Sequence, residues 1–330
     1  MPRVLLIKFV YIKIKMTKKI LGIGNAIVDI FVKVDDNFLY KNKLVKGSMK
    51  LIEKDECENL KNIIKIEKIE AGGSVANTMA GIAYLGGNAS FIGKINSDEF
   101  GKIYRESLKK INVSFSYVEK KENLPTGASI IFITPDSERT MCTFLGASSQ
   151  LSKKDINEND IKEYEIIFLE GYLWDKGSSE EMFKHIINLA RKNNIQLAMS
   201  LSDIFCVNRH REDFFQLLKN DLDILIGNEN EINRLIQKDN LAETIVELKK
   251  INKLIIITRS ENGSVAILNN EIMNCEGVKV EKVLDLTGAG DLFASGFFKE
   301  YLDGSNIKKC LNRGSELASK IIQKIGARLN

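Results

Sequence analysis

The chain has 330 residues, of which 44% are hydrophobic and 28% are charged, and its formal net charge is +4. This composition is typical of a globular protein with a large core, and the mild, dispersed charge predicts that nucleic acid is not a partner. No apolar run is long enough to span a bilayer, so no membrane partner is expected. Five scattered cysteines predict reduced thiols in a cytoplasmic protein, and two histidines give little support for a histidine metal site or a Ser-His-Asp triad.

Residues 1–18 are predicted to be an N-terminal extension. Their basic residues and short apolar run resemble a signal peptide, but Lys8 interrupts the run and no small-residue cleavage site follows. An added edge strand is the alternative, because the composition is strand-like. Residues 19–330 are predicted to form one domain.

Strand-like and helix-like segments alternate from residue 19 onward, which is typical of a parallel sheet with helices on both faces. Apolar runs predict strands at residues 89–93, 166–169, 196–201, 224–226 and 254–258. Amphipathic patterns predict helices at residues 98–110, 179–192, 209–219 and 241–250. Ligands of such folds bind at the carboxyl ends of the strands.

Two segments interrupt the alternation. Residues 31–52 and 113–145 are predicted to be extended hairpins, the second with a turn at residues 134–138. We expect both to be insertions on the one domain, because no repeat or Pro-rich linker separates them from it.

A Gly-rich turn at Gly72 and Gly73 leads into a helix of small residues. Because glycine has no Cβ, a ligand can approach the backbone closely there. Asn77 would lie about one turn into the helix, where its amide can bind a hydroxyl group. The alternative is an ordinary helix start, capped by Ser74 and packed tightly on a sheet.

A second such turn contains Gly288, Ala289 and Gly290 and is followed by an apolar helix. Exposed backbone N–H groups and the positive end of the helix dipole predict an anion site. Asp291 would lie in the first helical turn beside the anion, where a carboxylate can accept a proton from a hydroxyl that attacks phosphorus. The alternative is an Asp and a Gly placed at a helix start for dipole and packing reasons alone.

These two turns resemble the signature regions of the ribokinase-like (PfkB) family of carbohydrate and nucleoside kinases. Residues 22–29 are similar to the family's first strand, and Asn228 and Glu231 match its Asn-x-x-Glu motif. The resemblance covers the chain from about residue 20 onward. It implies an α/β fold with a doubly wound, mostly parallel sheet sandwiched by helices, and a small β lid formed by residues 31–52 and 113–145. It also implies an enzyme that uses ATP with Mg²⁺.

The resemblance assigns roles to individual residues. Asp291 would be the general base, and the anion hole would be formed by the N–H groups of Gly288, Ala289 and Gly290. The acceptor would be bound by Asn25, Asp29, Gly72, Gly73, Asn77 and Glu170. The nucleotide would be bound by Asn228, Thr258, Ser260 and Gly263, with Ser260 standing where glycine is usual.

Two further residues are assigned to cations. Glu231 would act on Mg²⁺ through water, and Asp285 would contact a monovalent cation such as K⁺, although Leu286 replaces the more usual Thr. Taken alone, the residues leave alternatives open. Asn228 and Glu231 could form a helix capping box, Asp29 could be a strand-end turn residue, and Arg139 could be either a phosphate ligand or a solvated hairpin charge.

Residues 25–29, 201–205 and 226–229 resemble the adenosine kinase branch, so the expected acceptor is a ribonucleoside, above all adenosine, in purine salvage. The position of Glu170 at its strand end, as in ribokinase-type members, keeps a ribose- or fructose-type sugar as the alternative. A non-catalytic nucleoside or sugar sensor is the alternative from another class, which the Gly288–Asp291 element argues against because a binder needs no base. Monomer and homodimer are both left open.

Overall fold

The computed structural model describes residues 18–116, 123–136, 138–175 and 179–329. Apart from Lys18, the predicted N-terminal extension lies outside these residues. The strands are β1 (Lys19–Ile23), β2 (Ile27–Lys33), β3 (Met49–Leu51), β4 (Lys68–Ala71), β5 (Asn88–Ile92), β6 (Ser114–Phe115), β7 (Thr126–Ile133), β8 (Arg139–Gly146), β9 (Ile166–Glu170), β10 (Gln196–Ser200), β11 (Ile224–Asn228), β12 (Leu254–Thr258), β13 (Ser264–Leu268) and β14 (Glu271–Cys275). The α-helices are α1 (Asp36–Lys41), α2 (Lys54–Ile63), α3 (Ser74–Tyr84), α4 (Glu99–Lys110), α5 (Glu158–Ile161), α6 (Ser179–Lys192), α7 (Ile204–Asn220), α8 (Glu229–Ile236), α9 (Leu241–Leu248), α10 (Ala289–Leu302) and α11 (Ile307–Ile321).

Nine strands form the main sheet, in the order β14-β13-β12-β11-β10-β9-β1-β5-β6. The strands from β12 to β6 in this order are parallel, and β13 and β14 continue the sheet antiparallel. The register places Glu170 opposite Ser200 and Asn228 opposite Thr258, all at the carboxyl ends of their strands. Polar residues are therefore collected at one edge of an otherwise apolar sheet.

Helices cover both faces of the main sheet. On β1, the fully buried side chains of Ile20 and Leu21 point in opposite directions because strand residues alternate between faces. Ile20 packs in a cluster with α3, α10 and α11, and Leu21 in a cluster with α6, α7 and α8. The predicted α/β sandwich is confirmed.

Five strands form a second, smaller sheet in the order β3-β8-β7-β2-β4, which we call the lid sheet. Strand β2 pairs parallel with β7 and antiparallel with β4, so the sheet joins segments from three parts of the chain. Its core packs against α1 and α2 through Leu39, Cys57 and Leu60.

One of the two hairpin predictions is correct. Within residues 113–145, β7 and β8 pair antiparallel with Ile133 opposite Arg139. Residues 31–52 do not form a hairpin, because α1 follows β2 and β3 pairs in parallel with β8. The missed signal is local: Asp35 caps α1 by accepting a hydrogen bond from the Phe38 N–H at 2.8 Å.

The predicted strands and helices of the main domain are found within a few residues of their expected bounds, with one larger difference. Helix α7 begins at Ile204, five residues before the predicted start. Asp203 caps it by accepting a hydrogen bond from the Cys206 N–H at 2.6 Å. The helix is irregular at His210 (φ −122°), which breaks the amphipathic period near the predicted start.

All five cysteines are buried free thiols, as their scattered spacing predicts. The described residues include no helix that is both long enough and apolar enough to span a membrane.

Candidate active site

A cavity of about 1170 Å³ lies between the carboxyl edge of the main sheet and the lid sheet. The ends of β9, β11 and β12 line one side, residues of β2, β7 and β8 line the other, and the first residues of α3 and α10 lie between them. Every site residue predicted from the sequence lines this cavity except Gly72 and Asp285. The fold thus gathers residues that are up to 266 positions apart, from Asn25 to Asp291.

The start of α10 places Asp291 in the middle of the cavity. Gly288 caps the helix with φ +75°, a left-handed conformation that glycine adopts without strain. The Asp291 carboxylate accepts hydrogen bonds from Ser74 Oγ at 2.6 Å and from Asn77 Nδ2 at 3.0 Å. Burial raises the pKa of Asp291 from 3.8 to about 6, against the effect of those two bonds and of the Arg328 charge. The carboxylate is therefore mainly ionised at neutral pH and can accept a proton.

Backbone N–H groups lie beside this carboxylate. The Ala289 N–H donates to the Leu286 carbonyl at 3.2 Å, whereas none of the described residues accepts a hydrogen bond from the N–H of Gly288 or Gly290. A Cβ added at Gly290 would have no protein atom within 4 Å. Gly290 therefore presents open backbone to the cavity at the positive end of the helix dipole, which suits an anion.

Glu170 fixes Asn25 and the start of α3 at one end of the cavity. It is buried at the end of β9, and its Oε1 accepts hydrogen bonds from the Asn25 backbone N at 2.9 Å and from Asn25 Nδ2 at 2.7 Å. Its Oε2 accepts one from the Val75 N–H at 3.1 Å. Asn25 Oδ1 is buried and has no partner among the described residues. Because an unpaired buried acceptor is costly, this atom is suited to receive a hydrogen bond from a ligand hydroxyl.

Asp29 lies on β2 and is 7% exposed. Burial raises its pKa to about 7, the charges of Asp291 and Glu70 add to this, and the charge of Arg328 opposes it. Gly72 lies behind Asp29: a Cβ there would come within 2.3 Å of the carboxylate. Gly72 makes room for Asp29 and does not itself line the cavity.

The start of α3 corrects one sequence interpretation. Gly73, with φ +91°, is the N-cap, and a Cβ there would lie 2.2 Å from the Asn25 carbonyl oxygen. Ser74 is the first helical residue and makes no capping hydrogen bond. The alternative of a helix capped by Ser74 is wrong, because its hydroxyl donates to Asp291 instead.

Asn228 and Glu231 lie at the other end of the cavity and form a capping box on α8. Asn228 Oδ1 accepts from the Glu231 N–H at 2.9 Å, and Glu231 Oε2 accepts from the Asn228 N–H at 3.0 Å. The interpretation of these residues as a helix cap is therefore correct. Both also line the cavity, and burial raises the pKa of Glu231 to about 7. Asn228 and Glu231 therefore cap α8 and also face the cavity.

The turn after β12 lines the same end. Thr258 pairs with Ser264 at the base of the β12–β13 hairpin. Ser260 has φ +50° and Gly263 has φ +81°, so both positions are in the left-handed region. This explains why glycine suits position 260, where serine accepts a strain on the order of 1 kcal/mol.

Comparison with known proteins identifies the family. Residues 46–330 match the PfkB family of carbohydrate kinases. The chain belongs to this family. A solved structure of adenosine kinase from Sinorhizobium meliloti aligns with a TM-score of 0.90 and 36% sequence identity, covering 95% of this chain and 96% of that one. The adenosine kinase of Dictyostelium discoideum is 27% identical over an alignment of 331 positions, which covers 94% of this chain and 96% of the relative. The 5-dehydro-2-deoxygluconokinase of Listeria innocua is 28% identical over 263 residues, 77% and 81% of the two chains.

These similarities confirm the predicted ribokinase-like fold and show that this PfkB protein is an ATP-dependent kinase. Kinases of the family generally use ATP with Mg²⁺. The names of the two curated relatives give different acceptors at nearly the same identity. Membership of the PfkB family therefore gives the reaction class and a small-molecule acceptor, and the acceptor itself must be argued from the site.

Arg139 and Asp285 form one network in this PfkB kinase. Asp285 is buried, and its Oδ1 lies 3.2 Å from Arg139 Nε and accepts a hydrogen bond from the Thr287 N–H at 2.8 Å. Its Oδ2 accepts one from the Gly326 N–H at 2.8 Å. Arg139 also donates to Thr287 Oγ1. The alternative of a solvated hairpin charge is wrong for Arg139. Both Asp285 oxygens are used within the protein, and the monovalent-cation role stays a prediction.

Four residues that contribute to the site were missed by sequence reasoning. Ser74 was considered only as a cap, although it lines the cavity and its hydroxyl donates to Asp291. Met49 and Met141 lie opposite each other on β3 and β8 and line the cavity. Arg328 lies two residues from the C-terminus and donates to Asn77 Oδ1 at 2.9 Å. No local pattern marks any of these residues, because each contact joins distant segments.

Proposed function

We propose that this PfkB kinase transfers the γ-phosphoryl group of ATP to the 5′-hydroxyl of a ribonucleoside, above all adenosine. The observation that supports a nucleoside is the composition of the cavity wall on the lid sheet. The lid sheet contributes the polar residues Asp29, Ser129, Arg139 and Thr143 to the cavity, and also a set of apolar side chains that we call the apolar wall: Ile27, Met49, Leu51, Ile131, Met141 and Leu145. An acceptor with a polar half and an apolar half fits such a site.

The apolar wall argues for a base because a bare sugar has no comparable apolar surface. Met49 and Met141 face each other across the β3–β8 pair, and neither is fully buried by protein. Thioethers are polarisable and make favourable contacts with aromatic rings, so this pair suits a purine. Leu51 is 42% exposed beside them, and a purine would remove its side chain from water.

In the proposed reaction, Asp291 accepts the proton of the 5′-hydroxyl as the hydroxyl oxygen attacks the γ-phosphorus. The new O–P bond forms, the bond from the γ-phosphorus to the bridging oxygen breaks, and ADP leaves. The N–H groups of Gly288 and Gly290 and the N-terminus of α10 stabilise the charge that develops on the transferred group. Asp29 accepts hydrogen bonds from the vicinal 2′- and 3′-hydroxyls, and Asn25 Oδ1 accepts another.

The nucleotide end uses Asn228, Thr258, Ser260 and Gly263 in the proposed complex. Bound Mg²⁺ would neutralise phosphate charge. Among the described residues there is no group of three or more His, Cys, Asp or Glu that could hold a metal ion. The buried carboxylate of Glu231 at this end fits contact with Mg²⁺ through water, since Mg²⁺ keeps several waters and binds phosphate oxygens.

The test is a comparison of kcat/KM for adenosine, 2′-deoxyadenosine, ribose, fructose and 5-dehydro-2-deoxygluconate with Mg-ATP, measured by ADP release. Adenosine should be preferred over every sugar. The 2′-deoxy compound should lose on the order of 1 to 3 kcal/mol in kcat/KM, because the buried Asp29 carboxylate loses the hydrogen bond from the 2′-hydroxyl and keeps only the one from the 3′-hydroxyl. A sugar with a higher kcat/KM than adenosine would show that the sugar-kinase alternative is right.

A variant tests the apolar wall separately. Met141→Thr should raise KM for adenosine about tenfold, since roughly 1 to 2 kcal/mol of apolar contact is lost, and should change kcat little. Val246→Ala on α9, at a side chain that is 59% exposed, is the control and should have parental kinetics. Equal KM values for Met141→Thr and the parent would remove the support for a nucleoside.

A further inference from the structure

The C-terminal segment reaches under the acceptor end of the cavity. Arg328 donates from Nε to Asn77 Oδ1 at 2.9 Å and from Nη1 to Ser107 Oγ at 3.1 Å, and its Nη2 lies 3.5 Å from the Gly72 carbonyl oxygen. The guanidinium therefore joins the start of α3, α4 and the Gly-rich turn. It lies behind the cavity lining and would not touch an acceptor.

The residues just before Arg328 tie it to the start of α10. The Gly326 N–H donates to Asp285 Oδ2 at 2.8 Å. A Cβ added at Gly288 would lie 2.9 Å from Ala327, so these two residues are in close contact. The segment thus connects the turn before Asp291 with the helix that carries Asn77.

We propose that Arg328 is a positioning residue, which orients the Asn77 amide toward Asp291 and supplies the buried positive charge that balances Asp29 and Asp291. The proposal assumes the general-base role of Asp291 but not the identity of the acceptor.

The orientation follows from hydrogen-bond chemistry. A guanidinium only donates, so the Asn77 group that faces Arg328 must be the carbonyl oxygen. The amide nitrogen of Asn77 is then directed to the Asp291 carboxylate, where it donates at 3.0 Å. Without Arg328 the amide is free to turn over, and its oxygen would face the carboxylate. Arg328 therefore acts on Asp291 through Asn77.

The charge argument rests on what surrounds the guanidinium. The ionisable groups that face it are Asp29 on β2, Glu70 on β4, Tyr104 on α4 and Asp291 on α10. Glu70 is paired with Lys68 at 2.5 Å, so Arg328 is the cation next to the other two carboxylates. Its charge lowers the pKa of both Asp29 and Asp291, against the effect of burial. Loss of this charge should raise both pKa values.

The decisive experiment compares Arg328→Gln and Arg328→Lys with the parent, using the acceptor that the parent phosphorylates best and a pH range of 5 to 9. In Arg328→Gln the acid limb of the kcat/KM profile should move to higher pH by at least half a pH unit, and kcat at pH 7 should fall about tenfold. Arg328→Lys should restore the limb, because the charge is back. Its kcat should remain low, because one ammonium does not replace the planar guanidinium that holds Asn77 and Ser107 together.

A second measurement does not depend on any acceptor. The substitution Arg328→Gln should lower the Tm more at pH 8 than at pH 5, because the buried carboxylates of Asp29 and Asp291 are ionised only at the higher pH. Arg313→Gln is the matched control, since Arg313 makes an exposed pair with Glu316 at 2.7 Å on α11. It should show neither the shifted limb nor the pH-dependent loss.

Three outcomes would overturn the proposal. One is a lowered kcat in Arg328→Gln with an unmoved acid limb and equal loss of stability at both pH values, which indicates only a structural role. Another is a parental kcat in Arg328→Lys, which also decides the question if Arg328→Gln does not fold. The third is an Arg328→Gln variant whose kcat, acid limb and thermal stability all equal those of the parent. Failure of adenosine as an acceptor would leave all three readouts intact and would contradict only the proposed acceptor.

Discussion

Replacing Asp291 by Asn separates a catalyst from a binding protein. The amide has the same shape, and it can keep both contacts: its oxygen accepts from Asn77 Nδ2, and its nitrogen donates to Ser74 Oγ. The proton acceptor is lost. Because general-base catalysis typically contributes about 10²- to 10⁴-fold, kcat should fall at least a hundredfold while ATP affinity is retained.

The same substitution should stabilise the protein at neutral pH. The rise in the pKa of Asp291 from 3.8 to about 6 corresponds to about 3 kcal/mol, since each step of one in pKa is worth about 1.4 kcal/mol. The sign follows from linkage: the unfolded chain loses this proton first, so stability falls as pH rises from about 4 to 6 and stays low above that. Asn carries no such cost.

Part of this gain is offset, because the charged carboxylate makes stronger hydrogen bonds than an amide. We expect a net gain of about 1 to 3 kcal/mol at pH 8 that disappears near pH 4. A chain of this length has an unfolding entropy of roughly 0.7 kcal/mol/K, so Tm should rise by about 1.5 to 4 °C. Calorimetry at the two pH values and steady-state kinetics at pH 8 make the test. A kcat within tenfold of the parent, or an unfolded variant, would refute the general-base role.

Two other predictions follow from the same carboxylates and from the open backbone at Gly290. With pKa values of about 7 for Asp29 and about 6 for Asp291, kcat/KM should rise with pH and level off only above about pH 8, because both groups act in their ionised form; a flat profile from pH 5.5 to 8 would contradict this. Gly290→Ala should gain about 0.5 to 1 kcal/mol of stability, because Ala replaces Gly inside a helix and meets no protein atom within 4 Å. Its kcat/KM for ATP should fall tenfold or more, since the new methyl group occupies the space beside the phosphates; parental kinetics would show that the anion lies elsewhere.

Regular elements with a strong local signal could be predicted from the sequence. Helix α6 has the predicted bounds, because its apolar residues recur at helical spacing and its first turn is acidic. Strands β9 and β12 each contain four consecutive buried apolar residues and end in a polar residue. Where a cap decides the boundary, as Asp203 does for α7, the polar residue had to be recognised as part of the helix.

The lid sheet was harder to predict because its pairings are not local. Strand β3 has three residues and pairs in parallel with β8, about ninety positions away. A strand of that length has no periodicity to detect. The prediction of an extended segment was correct for β2 and β3, but the sequence between them folds into α1.

The two Gly-rich turns could be predicted because the backbone there needs a positive φ, which glycine adopts without strain. Gly73 and Gly288 both have positive φ, and both cap a helix whose first turn faces the cavity. A glycine at such a position can be recognised in the sequence. Arg328 could not be predicted in this way, because it could be an ordinary terminal residue until the fold brings it to Asn77, and Glu170, which contacts Asn25, was assigned only through the family resemblance.

The polar residues of this site fall into two groups. The front rank takes part in the proposed chemistry, and the supporting rank holds the front rank in place. Asn25, Asn77 and Asp291 form the front rank, and each has a hydrogen bond with a supporting residue: Asn25 with Glu170, Asn77 with Arg328, and Asp291 with Ser74. Residues of the front rank must have the chemistry of the reaction, so their types and spacing are restricted. Supporting residues need only supply a hydrogen bond or a charge at the right place, and many segments of a chain can do so. Arg328 is the member of the supporting rank whose removal should be visible in a pH profile, because it also supplies a charge beside Asp29 and Asp291.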